Sequence, residues 1–87
     1  MTKVKIEIVK ILEKGTCPYE HKVGDTFMYP EERGKICAAA FNDLFSHIRV
    51  LQFGGSFPWS DDTETATVCC HDYKNPVVFK LTRVKED

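Results

Sequence analysis

Four cysteines and three histidines carry the reactive chemistry this chain of 87 residues has to offer. A thiol attacks as thiolate, so Cys17 or Cys69 would need a neighbouring base, and His21 and His71 are the candidates. His71 follows Cys69 by two residues, which on an extended strand puts both on one face. Nothing in the surrounding residues supplies an oxyanion hole, a substrate pocket or a group to orient the imidazole, so no catalytic residue is assigned. Cys17, Cys37 and Cys70, with His21 or Asp72 nearby, are the other grouping, a thiolate set for zinc or an iron–sulfur cluster. The chain contains no Cys-x-x-Cys, and its spacings match neither a zinc finger nor a ferredoxin. The primary expectation is therefore no cofactor, with Cys37 and Cys70 as small buried hydrophobes, and zinc or iron–sulfur ligation by the cysteines is the alternative.

The acids Asp61, Asp62, Glu64 and Asp72 do not follow the alternating oxygen ligands and bend glycine of a calcium loop, and they read as a solvated loop. Between that run and the helix before it lies Gly54-Gly55-Ser56-Phe57-Pro58-Trp59. Its rigid aromatics, Phe57 and Trp59, either present a recognition surface or plug one end of the core.

These residues must be positioned by a small fold. The length gives one domain spanning 1–87, and a folded chain of this size buries only about 60 to 65% of its unfolded surface. With 12 basic and 13 acidic residues the formal charge is −1, which offers no general excess of positive charge to neutralise phosphates. Lys3, Lys5, Lys80 and Lys85 fall where they could line one sheet face, but no RNP-type aromatic set accompanies them, so nucleic acid is not expected as a partner. No apolar run approaches the roughly 20 residues of a membrane span, and the alternating opening does not resemble a signal peptide. The expected location is the cytoplasm, where cysteines stay reduced.

Hydrophobic periodicity sets out the elements. From Lys3 to Leu12, Val4, Ile6 and Ile8 share one side and Lys3, Lys5 and Glu7 the other, as in a half-buried strand. Gly15-Thr16-Cys17-Pro18 ends it, and Val23 to Tyr29 gives a turn and a short second strand stopped by Pro30. Over 35–53, Cys37, Phe41, Leu44, Ile48 and Leu51 recur at helical spacing, with Cys37 in the apolar stripe and Gly54-Gly55 as the stop. Thr65 to His71 alternates again, pointing Cys69 and Cys70 to opposite faces. Val77 to Val84 returns as its hairpin mate, with Val77, Phe79 and Leu81 inward. Strand, strand, helix, strand, strand is an α+β order: one helix packed on one face of a small, mainly antiparallel sheet.

Cys17-Pro18, Gly54-Gly55-Ser56-Phe57-Pro58-Trp59, Cys69-Cys70-His71-Asp72 and Pro76-Val77-Val78-Phe79 together resemble the motifs of a family of small prokaryotic proteins of unassigned function. The resemblance runs through nearly the whole chain and implies a compact domain, sometimes repeated or fused. It also implies that the cysteines and the aromatic loop form a unit, and it carries no reaction. His71 stands where a proline often follows the cysteine pair, and the helix has Ala and Phe where Trp is frequent.

A single helix covers only one side of a sheet. The other side is expected to carry Val9, Ile11, Val78, Val84 and Cys69, a set apolar enough to be covered by a second copy of the chain. A homodimer, or a protein partner met through Phe57, Trp59, Val78 and Val84, follows as the functional expectation, with thiol-based metal or redox chemistry as the alternative.

Overall fold

The structure, a computed structural model, describes residues 2–11, 22–59, 61–70 and 77–85. Its elements run β1 (Thr2–Ile11), β2 (Thr26–Tyr29), a single 3-10 turn (Arg33–Lys35), α1 (Ala38–Gln52), β3 (Thr65–Cys69) and β4 (Val77–Lys85). The four strands form one antiparallel sheet in the order β2-β1-β4-β3, and α1 lies across one face. This is the α+β arrangement of one helix on a small antiparallel sheet.

The two longest strands take the centre because they carry the most regular apolar alternation. Val4, Ile6 and Ile8 on β1 and Val77, Phe79 and Leu81 on β4 are all buried, together with Ala66 of β3 and Ala40, Leu44, Ile48 and Leu51 of α1. Each fully buried Val, Leu, Ile or Phe side chain contributes about 1.5 to 3 kcal/mol, an upper estimate where the unfolded chain is compact. The open face of the sheet holds the alternate residues, Thr26 and Met28, Lys3, Lys5 and Glu7, Lys80 and Thr82, and Thr65, Thr67 and Cys69.

One irregularity alters that face. The β1–β4 register shifts between Ile8, opposite Phe79, and Lys10, opposite Val78, leaving Val9 as an extra residue in a bulge. Beyond it the phase reverses, so Lys10 joins the open face while Ile11 pairs with Val77 and packs against the core. Ile11 is therefore not part of an exposed apolar patch. Val78 and Val84 remain on the open face, half-buried, with Lys10 and Lys3 directly opposite them. Lys85, opposite Thr2, stands in the alternate register from Lys80. Among the described residues this face carries four lysines, Lys3, Lys5, Lys10 and Lys80, beside Val78, Val84 and Cys69, and is more polar than the expected apolar set.

The helix is shorter than its periodicity suggests. Cys37 is its N-cap, with φ −49° and ψ 130° and no side-chain capping bond; its carbonyl accepts the first helical bond, from Phe41 N–H at 2.8 Å. Cys37 therefore lies ahead of the apolar stripe and packs only partly against the core. At the other end Gly54 adopts φ +87°, its N–H reaching Leu51 O at 3.2 Å and the Gly55 N–H reaching Val50 O at 2.8 Å. These bonds make a Schellman stop, which needs the left-handed residue that glycine supplies without strain. Gly55 is fixed by space instead, since a Cβ there would meet Val50 Cγ1 at 2.7 Å.

Candidate interaction surface

Arg83 organises the stretch between the helix and β3. It continues the inward alternation of Val77, Phe79 and Leu81 on β4, and so enters the core side of the sheet as a charged residue only 9% exposed. A guanidinium in that position needs partners for its five N–H groups. Nη1 donates to Leu51 O and Gly55 O, each at 2.9 Å; Nη2 donates to Thr63 O at 2.6 Å and to the Glu64 carboxylate; and Nε donates to Glu64 Oε2 at 3.1 Å. The backbone adds Arg83 N–H to Glu64 O at 2.8 Å. One side chain thus ties the last turn of α1, the Gly54-Gly55 stop and the start of β3 to the sheet. A cation at a helix C-terminus also meets the negative end of the helix dipole.

The acids fall into place around this hub. The Asp62 Oδ1 accepts the Glu64 N–H at 2.8 Å, a local turn bond, and Glu64 serves Arg83. Both carboxylates serve the fold of the loop in the way a solvated turn requires.

The aromatic loop that Arg83 holds divides its two members. Phe57 is half-buried, packs against the core and stacks on His47 of α1 with ring centroids 5.1 Å apart. Trp59, 5.2 Å from the Phe57 ring, stays 72% exposed. On the opposite flank of α1 a second aromatic series begins inside with Tyr29, runs through Phe41 at 6.0 Å and reaches Phe45 at 5.6 Å. Arg49 continues it, its Cζ 5.9 Å from the Phe45 ring and 4.4 Å from that of Phe53. Residues 41, 45, 49 and 53 follow one another at steps of four, the spacing that stacks side chains along one line of a helix. Phe45 is 43% and Phe53 73% exposed, and a shallow depression lined by Ala38, Phe41, Asn42 and Phe45 lies beside them. The charged side chains of α1 are Asp43 and Arg49 alone, so its outward face is much less polar than the open sheet face.

The three described cysteines, Cys37, Cys69 and Cys70, occupy three different settings. None of these three is joined in a disulfide. Cys70 closes the β3–β4 pair: its N–H donates to Val77 O at 2.9 Å, and its Sγ accepts the Val77 N–H at 3.2 Å. Cys69 is on the open face, exposed, and pointed away from Cys70 as the alternation requires. Its thiol is pushed up from its ordinary value, first by desolvation, then by the Cys70 thiol and the Asp43 carboxylate. Those influences hold it protonated, opposite to what a nucleophile needs. Among the described residues no group of three or more His, Cys, Asp and Glu side chains is placed to hold a metal ion. Cys17, His21, His71 and Asp72, which complete the sequence-based thiol and metal groupings, lie outside the described residues.

Among the described residues no helix is long and apolar enough to cross a membrane. Comparison with known proteins finds no matching family model, no matching curated protein and no matching solved structure.

Proposed function

We propose that the protein is a small cytoplasmic binding domain that engages polypeptide through the helix side of the fold, where Phe45, Phe53 and Trp59 are offered to solvent. The observation behind this reading is the exposure of Phe53 and Trp59, 73% and 72%, in a chain whose opposite face is studded with lysines. Large aromatics left in water are unfavourable for an isolated domain and are the residues that contribute most when an interface forms. Arg49 stacked on Phe53 keeps that ring in place without covering it. Arg83 gives the surface a rigid base by fixing the loop that carries Trp59 to the helix end. The likeness of the Gly-Gly-x-Phe-Pro-Trp and Cys-Cys-x-Asp motifs to those of a small prokaryotic family is part of the same proposal.

Site-specific photo-crosslinking in the source cell tests it. A photoreactive residue in place of Phe53 should give discrete crosslinked polypeptides, and one in place of Thr82 on the open face should give none. Crosslinking from Thr82 and silence from Phe53 would overturn the assignment.

A further inference from the structure

The guanidinium of Arg49 is held in place but left chemically open. Its Cζ lies 4.4 Å from the Phe53 ring and 5.9 Å from that of Phe45, and Nη1 donates to Gln52 Oε1 at 2.9 Å. These contacts restrain an exposed side chain that otherwise moves among many rotamers. Only one of its five N–H groups is spent on a hydrogen bond among the described residues, and no carboxylate there pairs with it. Asp43, the other charged residue of α1, stands six residues away, about one and two-thirds turns round the helix and so on a different face.

The ground on either side of Arg49 is apolar. Phe45 and the depression lined by Ala38, Phe41, Asn42 and Phe45 lie toward the start of α1, and Phe53 lies at its end. A planar cation with open donors between two exposed rings matches a planar anion that accepts parallel bonds, which is a carboxylate. A phosphate backbone or an anionic lipid surface is drawn by several cations together, and Arg49 is the only Lys or Arg on α1. The backbone of α1 is spent on its own hydrogen bonds, so an occupant must arrive with its backbone already satisfied, as a helix does and an extended strand does not. A chain terminus ending at Arg49 would cover the apolar ground on one side alone, whereas a side-chain carboxylate lets the segment run over both.

We propose that the polypeptide met by this surface is an amphipathic helix with one aspartate or glutamate set in its apolar face, the carboxylate forked onto Arg49 while apolar residues on either side cover Phe45 with its depression and Phe53. This deepens the binding reading above and rests on it. The spacing follows from the rise of a helix. The middle of the depression and Arg49 are separated by about seven residues of α1, or about 10 Å, so a partner helix lying along α1 carries its apolar anchor about seven residues from its acid. The acid selects the partner. Contact with Phe45 and Phe53 is blind to charge, but a segment without the acid would cover Arg49 and leave its donors without an acceptor.

Selection from a displayed library of helical peptides about 18 residues long, with the purified full chain as bait, tests the proposal. Enriched sequences should share an acid with an apolar residue about seven positions away, and selection on Arg49→Glu should put lysine or arginine in place of that acid. A synthetic copy of the most enriched peptide, amidated at its C-terminus, should bind Arg49→Gln about tenfold more weakly than the native chain, and replacing the peptide's acid by its amide should give the same loss with the protein unaltered. That second comparison decides the matter if an Arg49 variant loses its native circular dichroism spectrum. Enriched peptides with no shared acid, or with an affinity that neither change lowers, overturn the carboxylate assignment; the binding surface then stands if Phe45→Ala and Phe53→Ala still weaken them. Peptides indifferent to all of these changes overturn both readings. A selection that enriches nothing overturns the amphipathic helix as partner, and leaves the broader reading to the Phe53 crosslinks.

Discussion

Arg83 and Leu51 stand 32 residues apart in sequence, and the Arg83 Nη1 donates to the Leu51 carbonyl at 2.9 Å. That carbonyl also accepts the Gly54 N–H of the helix stop, so one oxygen joins the end of α1 to the last strand. The Arg83 side chain is 5% exposed and that of Glu64 is 44%, and the two partners are consequently unequal.

Removing Arg83 takes one donor from each of the carbonyls of Leu51, Gly55 and Thr63, of which Leu51 O keeps the Gly54 N–H, and leaves the space of a buried guanidinium unfilled. Arg83→Ala is expected to destabilise the domain by about 3 kcal/mol or more, as unsatisfied buried polar groups do. Glu64→Gln weakens a pair already open to solvent and should cost about 1 kcal/mol or less. Urea unfolding of both variants checks this; equal losses would mean the ion pair, and not the bridging of carbonyls, is what stabilises the hub.

Cys37 is an N-cap without a side-chain capping bond. A serine hydroxyl there can accept an amide proton of the first turn, which a thiol does poorly, so Cys37→Ser should stabilise the protein by about 0.5 to 1 kcal/mol. In a domain this small that is a rise of several degrees in Tm. A fall in Tm would return Cys37 to the apolar stripe as a packing residue.

Cys69 is accessible but held protonated, so native alkylation at pH 7 should modify it before Cys37 and Cys70, yet more slowly than a cysteine in the unfolded chain. The sign follows from the raised thiol value: the thiolate appears only as pH climbs past the ordinary value of about 8.5, and the rate should keep rising beyond it. A rate already level at pH 7 would indicate an activated thiol and reopen the redox reading.

The Cys70 sulfur is occupied within the fold by the Val77 N–H. Protein prepared without oxygen should therefore keep its circular dichroism spectrum and Tm in the presence of a strong chelator. Loss of structure together with stoichiometric zinc or iron would establish the metal reading, through cysteines that include Cys17.

Periodicity carried the architecture because burial on this sheet depends on side-chain phase alone: Val4, Ile6, Ile8, Val77, Phe79 and Leu81 alternate without a break and all are buried. The same signal contained Arg83, the next residue in phase after Leu81, and a charged side chain at an inward position announces a buried polar hub. Its partners could not be read, since Leu51, Gly55 and Thr63 contribute backbone oxygens that no side-chain pattern encodes. The bulge was also present in outline, as apolar residues at 6 and 8 give way to 9 and 11. Whether such a change of parity ends a strand or bulges it depends on pairing with β4. The helix starts later than its period because Cys37 keeps the spacing of the stripe while its backbone has non-helical angles. For the interaction surface, sequence singled out Phe57 and Trp59 but assigned Phe41 to the stripe and passed over Phe45 and Phe53, whose exposure depends on how α1 is turned toward the sheet.

The bulge at Val9 makes β1 unusual in its response to changes of length. Elsewhere in a central strand, losing one residue inverts every side chain beyond it. Here Ile8 is already followed, one residue late, by Lys10 facing Val78 and Ile11 facing Val77, so excising Val9 restores plain alternation and leaves every other residue on its present side. A gap at this position among related chains would be mild, where substitution of Ile8 or Ile11 by a polar residue would be severe. Lys10-to-Val78 cross-strand contacts in the NMR spectrum of a Val9 deletion should survive, and their loss would show that the extra residue is needed to aim the chain as it leaves the sheet.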